Sequence, residues 1–356
     1  MSQTLIHGGD WAGYEAECGE CPLDFSANVS PLGLPRGVRD AVVRSLETAD
    51  RYPDPLCRAL GGAIAGVEEV SPDWVLCGGG AADLIYRAVL AKRPGRALVT
   101  APAFAEYEAA LSLVGCGIDR FFLRESEDFM LGESFLEAIT PDTDMVFLCQ
   151  PNNPTGRTIP RTLLCAVLER CRAAKALLVV DECFCGLLDQ PETFTMKGLL
   201  GEHPNLLILK AFTKLYAMAG LRLGYCVCGD AALLDAMRGA GQPWAVSGPA
   251  QAAGIAALRE TQYVQAVRGL VARERPRLAG ELSRLGLRVI PGEANYLLFF
   301  SPAPLLEPLR KRGILLRDCG NYRGLEAGWY RTAVRTQEEN RRLIQSLEEI
   351  LKEGTP

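Results

Sequence analysis

The sequence predicts an α/β fold with a mostly parallel central sheet, followed by a smaller α+β unit. Two patterns and one length carry this. Between residues 74 and 228, short and uniformly apolar runs alternate with stretches of helical length. Strands that are apolar throughout are buried on both faces, and helical connections between them are crossovers that keep neighbours parallel. After Pro249 the pattern changes to a long helical stretch and then to shorter strands. At 356 residues the chain exceeds what one compact core usually holds, so two closely packed units are expected.

Taken in order, the expected strands of the first unit are "WVLC" (74–77), "RALVT" (96–100), "DMVFLC" (144–149), "ALLVVD" (176–181), "NLLILK" (205–210) and "LGYCVC" (223–228). A helical stretch over roughly 249 to 285 comes next. It leads to "LRVI" (287–290), "YLLFF" (296–300), "GILLR" (313–317) and "WYRTAV" (329–334), and the charged amphipathic segment "QEENRRLIQSLEEILKE" closes the pattern as a helix. The expected division is an N-terminal arm over 1–45 that joins the small unit, a large unit over 46–245 and a small unit over 246–356.

Composition removes several function classes. The 43 acidic and 38 basic residues are well mixed and leave a net charge of −5, which argues against a nucleic-acid surface or an anionic-membrane partner. No run of 18 apolar residues occurs, and "MSQTLIHGGDWAGYE" has neither a basic leader nor an apolar core, so the cytoplasm is the expected compartment. Thirteen cysteines are scattered, often inside apolar runs, as free buried thiols would be. "ECGEC" has the spacing of half a zinc site, but no second pair shares that spacing, so no metal is expected.

The residues that carry chemistry fall at the carboxyl ends of expected strands, where open α/β sheets bind ligands. "CGGGAAD" (77–83) follows a strand and opens a helix. Its glycines, Gly80 among them, allow close approach, and the amides of Ala81 and Ala82 can face a phosphate, although such turns also serve geometry alone. "PAFAEY" (102–107) offers Phe104 and Tyr107 as an aromatic face for a planar ring, or as core packing. "QPNNPTG" (150–156) places the amides of Asn152 and Asn153 at a strand end. Asp181 ends an otherwise apolar strand, so its carboxylate needs a cationic or hydrogen-bonding partner: a protonated ring nitrogen, or a salt bridge to a neighbouring helix. In "AFTKLYAMAGLRLGY" (211–225) the one lysine, Lys214, sits among apolar residues just beyond a strand. A desolvated amine of lowered pKa there suits Schiff-base formation with an aldehyde cofactor, with Thr213 and Arg222 available to a phosphate.

In this order, Gly-rich turn, aromatic, "NNPTG", "DE" and "TK" followed by "GLRLGY", the residues resemble the fold type I enzymes dependent on pyridoxal 5′-phosphate, in the class I/II aminotransferase branch. The resemblance implies that Lys214 carries the cofactor and that Asp181 pairs with its pyridinium nitrogen. It further implies that Asn153 bonds the ring hydroxyl, that Tyr107 stacks on the ring, and that Ala81, Ala82, Thr213 and Arg222 hold the phosphate. Tyr52, in "RYPDP", occupies a position that in this family reaches across a homodimer interface to the neighbouring phosphate.

Within the branch, "HGG" (7–9), "LDFSANVSPLGLP" (23–35), "RYPDP" (51–55), "FAEY" (104–107) and "NYRGLEAGWYRTAVRT" (321–336) are similar to the L-threonine O-3-phosphate decarboxylases, with histidinol-phosphate aminotransferases as the alternative. Phe184 stands two residues after the "DE" pair, where the aminotransferases usually carry Tyr. The resemblance then implies a phosphorylated amino-acid substrate, held by Arg331 at the family's carboxylate position, with Arg317, Arg335, His7 and Asn28 as further contacts. The implied product, aminopropanol phosphate, feeds the cobalamin linker in the resembling family. Phosphoserine lacks one methyl group of phosphothreonine, worth roughly 1 to 3 kcal/mol, so the residues leave both substrates open. The decarboxylases carry polar or acidic residues where this chain has Ala81 and Ala82, so weaker cofactor binding is expected.

Overall fold

The computed structural model describes residues 7–353, and the first six residues of the expected arm lie outside the described residues. Leu23–Asp24 forms β1. Six strands expected for the large unit form as Val75–Gly78 (β2), Arg96–Ala101 (β3), Met145–Cys149 (β5), Leu177–Asp181 (β6), Leu206–Ala211 (β7) and Gly224–Cys228 (β8). A further strand, Gly117–Phe122 (β4), was not expected: Asp119 and Arg120 interrupt its apolar residues on a half-covered edge, so it lacks the continuous apolar run of its neighbours.

These seven strands make one sheet in the order β2-β8-β7-β6-β5-β3-β4. All neighbours are parallel except at β8, which runs antiparallel to both β2 and β7. The alternation of side chains supplies two cores from the same strands. Leu177 and Val179 of β6 pack on one side with helices Ala81–Lys92 and Glu106–Leu113, whereas Leu178 and Val180 pack on the other with helix Arg161–Ala174. Helices on both faces leave only the strand ends open to a ligand.

The small unit contains Arg288–Val289 (β9), Tyr296–Phe300 (β10), Ile314–Leu315 (β11), Arg317–Asp318 (β12) and Trp329–Ala333 (β13). Four of them form an antiparallel sheet, β12-β13-β10-β9. The run "GILLR", read as one strand, is divided: β11 pairs in parallel with β1, and β12 pairs with β13. The expected long helical stretch is two helices, Gly248–Ala257 and Thr261–Arg284, and the last helix spans Gln337–Glu353. Residues 23–25 of the arm bond to the small unit, Leu23 and Phe25 donating to Gly313 and Leu315 and the Phe25 carbonyl accepting from Ala333.

Candidate active site

An open cavity of about 1040 Å³ lies at the carboxyl ends of β5, β6 and β7, walled on its far side by the arm and the small unit. Lys214 and Thr213 occupy a short helical turn, Phe212–Leu215, directly after β7. Burial, helped by the positive charges of Arg331 and Arg222, lowers the Lys214 amine from 10.5 to about 8. Its Nζ stands 5.4 Å from the centre of the Phe184 ring, so an apolar face rather than a carboxylate adjoins it.

That depression has a consequence for stability. The unfolded chain holds the extra proton between about pH 8 and 10.5, so the stability of the cofactor-free protein rises with pH across this window. Below pH 8 the full penalty for burying the ammonium is present. Lys214→Met is therefore expected to stabilise the cofactor-free protein at pH 7 by up to about 3 kcal/mol, measured by urea denaturation; no gain, or one that persists above pH 11, would contradict the assignment.

Asp181, the last residue of β6, has both oxygens engaged: Oδ2 accepts from the Tyr107 hydroxyl at 2.7 Å and Oδ1 from the Cys183 amide at 3.0 Å. These donors aim the carboxylate along the cavity floor. Burial and the Asp181 charge push the Tyr107 phenol well up, so it stays a donor.

Tyr107 does not supply the stacking face expected of it. Its ring is buried beneath the floor, parallel to Phe147 with centroids 4.9 Å apart. The helix that begins at Glu106 turns Tyr107 toward the sheet, whereas Phe104, in the loop before it, lines the cavity.

The glycine turn leads into helix Ala81–Lys92, and Ala81 and Ala82 line the cavity. Gly80 has φ of +100°, and a Cβ there would lie 2.7 Å from Nη2 of Arg222. A Cβ on Gly224 would lie 2.6 Å from the Ala81 amide nitrogen. The turn and the arginine thus close on a space that admits no side chain. Asp83, which the sequence reading passed over, fixes the turn by accepting from the Gly79 amide at 2.8 Å while paired with Arg87 at 2.9 Å. Gly80→Ala combines backbone strain with displacement of Arg222, and is expected to weaken cofactor binding at least about tenfold, read by absorbance titration. Unchanged affinity would separate this turn from cofactor binding.

On the opposite wall Arg317 and Arg331 are direct cross-strand partners and both are buried. Arg331 bonds through Nη1 to Oδ1 of Asn153 and donates through Nη2 to the Ser26 carbonyl at 3.0 Å. Arg317 donates to Oδ1 of Asn321 at 3.0 Å, and its guanidinium lies 5.2 Å from the Tyr322 ring centre. Asn28 is 2% exposed, lines the cavity, and neither polar atom of its amide group has a partner among the described residues. His7 lies at the mouth, 5.6 Å from Phe104 between ring centres.

One expected contact is placed elsewhere. Arg335 is no part of the wall: it donates to the Asp24 carbonyl at 3.1 Å and pairs with Glu339 at 2.6 Å, tying the arm to the start of the last helix. The strand ends at Ala333, so Arg335 does not share the direction of Arg331. Tyr52 lies on the surface, 81% exposed and stacked on Trp244 at 4.6 Å, outside this chain's own cavity. All thirteen cysteines are free thiols. Among the described residues no helix is long and apolar enough to cross a membrane.

The model of the aminotransferase class I and II family matches residues 22–347. The chain belongs to this family. It is 38% identical over 352 residues to a threonine-phosphate decarboxylase of Salmonella typhimurium, covering 97% of this chain and 96% of that protein. It is 36% identical over 339 residues to a histidinol-phosphate aminotransferase of Symbiobacterium thermophilum, covering 93% and 91%. Among solved structures, the histidinol-phosphate aminotransferase of Clostridium acetobutylicum superimposes with a TM-score of 0.87 at 26% identity, covering 93% of this chain and 99% of that one.

The cofactor of class I and II aminotransferases and their decarboxylase relatives is pyridoxal 5′-phosphate. The donor set here fits it. A buried amine near neutrality suits an aldehyde, a carboxylate on the cavity floor suits a ring nitrogen, and the glycine turn facing Arg222 suits a phosphate. The unpartnered Asn28 amide marks further polar contact to be made inside the same cavity.

Proposed function

We propose that this chain is a carboxy-lyase that uses pyridoxal 5′-phosphate to decarboxylate L-threonine O-3-phosphate to aminopropanol phosphate, with L-serine O-phosphate as a second substrate. In this reading Lys214 bonds the cofactor aldehyde, Asp181 faces the ring nitrogen, Asn153 the ring hydroxyl, and Phe104 covers the ring. The amides of Ala81 and Ala82, with Thr213 and Arg222, hold the phosphate. Bound there, the cofactor supplies an electron sink for the pair released when the Cα–carboxylate bond breaks.

The observation that carries the reading is the cross-strand pair Arg317 and Arg331. Two like charges placed directly opposite one another repel. A ligand with two anionic groups relieves that repulsion, and a phosphorylated amino acid has a carboxylate and a phosphate. Arg331 would hold the carboxylate, Arg317 with His7 would hold the phosphate, and the unpartnered Asn28 amide lies in the main cavity within the same wall. Binding energy from that remote group enforces the pose in which the carboxylate, not the Cα proton, is the group poised to leave. Lys214, with its lowered pKa, returns a proton to Cα. The apolar Phe184 beside it offers no phenol to that amine or to the ring hydroxyl.

This reading makes the product a precursor of the cobamide linker, the compartment the cytoplasm, and the assembly a homodimer in which Tyr52 reaches the partner's site. A second reading, transamination of histidinol phosphate or an aromatic amino acid, draws on the 36% identity to the aminotransferase and uses the same cofactor residues. Incubation with L-threonine O-3-phosphate should release carbon dioxide and aminopropanol phosphate in equal amounts. No gas, together with glutamate-dependent conversion of imidazole-acetol phosphate, would replace the first reading by the second.

A further inference from the structure

A second chamber of about 730 Å³ adjoins the main cavity, sharing His7, Phe104, Arg317 and Tyr322 with it and adding Asn321, Arg323 and Glu108, whose Oε2 accepts from Arg323 at 3.1 Å. His7 is its gatepost, and Glu106 fixes His7. Oε1 of Glu106 lies 2.6 Å from Nε2 of His7, and Oε2 accepts from the Tyr86 hydroxyl at 2.7 Å. One carboxylate therefore joins the arm to two helices, Ala81–Lys92 and Glu106–Leu113. As the first residue of its helix, Glu106 also sits where unpaired amides favour negative charge. The acid raises the Tyr86 phenol to about 12, which keeps that hydroxyl a donor.

The arm beside His7 is equally determined. The Gly9 amide donates to Oγ of Ser26 at 2.7 Å, and a Cβ on Gly8 would lie 2.6 Å from the Ser26 carbonyl oxygen. Among the described residues the imidazole makes one hydrogen bond, through Nε2, which leaves Nδ1 for a ligand.

We propose that Glu106 is a positioning residue, braced by Tyr86, that orients His7 so the side chamber receives the phosphate end of the substrate. This rests on the reading of a phosphorylated substrate given above. It assigns Glu106 to specificity, since the residue touches neither cofactor nor reacting carbon.

Two readouts test it. The chain has two histidines, His7 and His203, so imidazole labelling with carbon-13 gives two signals, assigned with His203→Gln. In the holoenzyme, saturating inorganic phosphate is expected to move the His7 signal and not that of His203, and Glu106→Gln and Tyr86→Phe should weaken this response. In kinetics, Glu106→Gln should raise KM for L-threonine O-3-phosphate roughly tenfold, the loss of one charge-assisted hydrogen bond, with kcat near that of the parent. The kcat/KM for unphosphorylated L-threonine should not change. In a His7→Ala background Glu106→Gln should add nothing. Additive effects, equal losses on both substrates, or an unaltered His7 response in both variants would overturn the proposal. If the parent enzyme turns over no phosphothreonine, the reading of function fails on that ground, and the phosphate response of His7 alone decides the role of Glu106.

Discussion

Lys214→Ala is expected to lower turnover by about 10⁴-fold or more, the scale seen when a covalent catalytic residue is removed. Among the described residues Lys214 is the only lysine lining the cavity, and its buried amine has no carboxylate partner there at hydrogen-bonding distance. The nearest lysine in sequence, Lys210, is committed elsewhere: burial opposes its charge, but Glu182 and Glu68 raise its pKa, and its ammonium lies 2.8 Å from Glu68. No neighbour can substitute. The variant should also lose the yellow absorbance of the lysine–cofactor linkage while keeping cofactor bound through the glycine turn, Arg222 and Asp181. Full activity in Lys214→Ala would remove the amine from the chemistry.

The second large effect is expected of Arg331→Leu. Truncating one partner of a buried charged hydrogen-bond network costs about 2–5 kcal/mol, so KM for the phosphorylated substrate should rise by roughly 100-fold. Asn153 loses its guanidinium partner in the same step, and kcat should fall as the carboxylate loses its orientation. The sign of a further change follows from the charges. Arg331 is one of the groups that depress the Lys214 amine, so its removal should move that amine back toward 10.5 and shift the pH profile of the linkage to the alkaline side. Arg331→Lys keeps a charge but not the two-pronged contact to Asn153 and the Ser26 carbonyl, and should recover only part of the loss. An Arg331→Leu enzyme with parental KM would break the case for a two-anion substrate.

Most of the cavity was legible because its residues stand at the ends of apolar strands. Asp181 closes β6, Lys214 follows β7 within one turn, and Gly80 ends the turn after β2, so the strand pattern alone brings them to one rim. Residues whose place depends on a turn's direction were not. Phe104 and Tyr107 are three apart, and only the start of the helix at Glu106 decides which ring meets the cavity and which props Asp181. Arg331 and Arg335 stand four apart, yet β13 ends between them and sends Arg335 to Glu339. The Arg317–Arg331 register was invisible for a similar reason: "GILLR" reads as one strand, while its halves pair in different sheets. Glu106 lies inside the run "FAEY" but has no role legible there, because its partner His7 is remote in sequence and no spacing rule links them.

The reversed strand β8 begins where its neighbours finish. Its first residue, Gly224, pairs with Gly78 on one side and with Ala211 on the other. The segment from 214 to 222 consequently has a fixed span, with Lys214, the proposed covalent anchor, at one end and Arg222, the proposed ionic anchor, at the other. Lengthening it by a single residue would leave Lys214 seated and swing Arg222 off the glycines. Such a protein would capture the aldehyde and shed it on dilution, separating grip from reactivity within one loop.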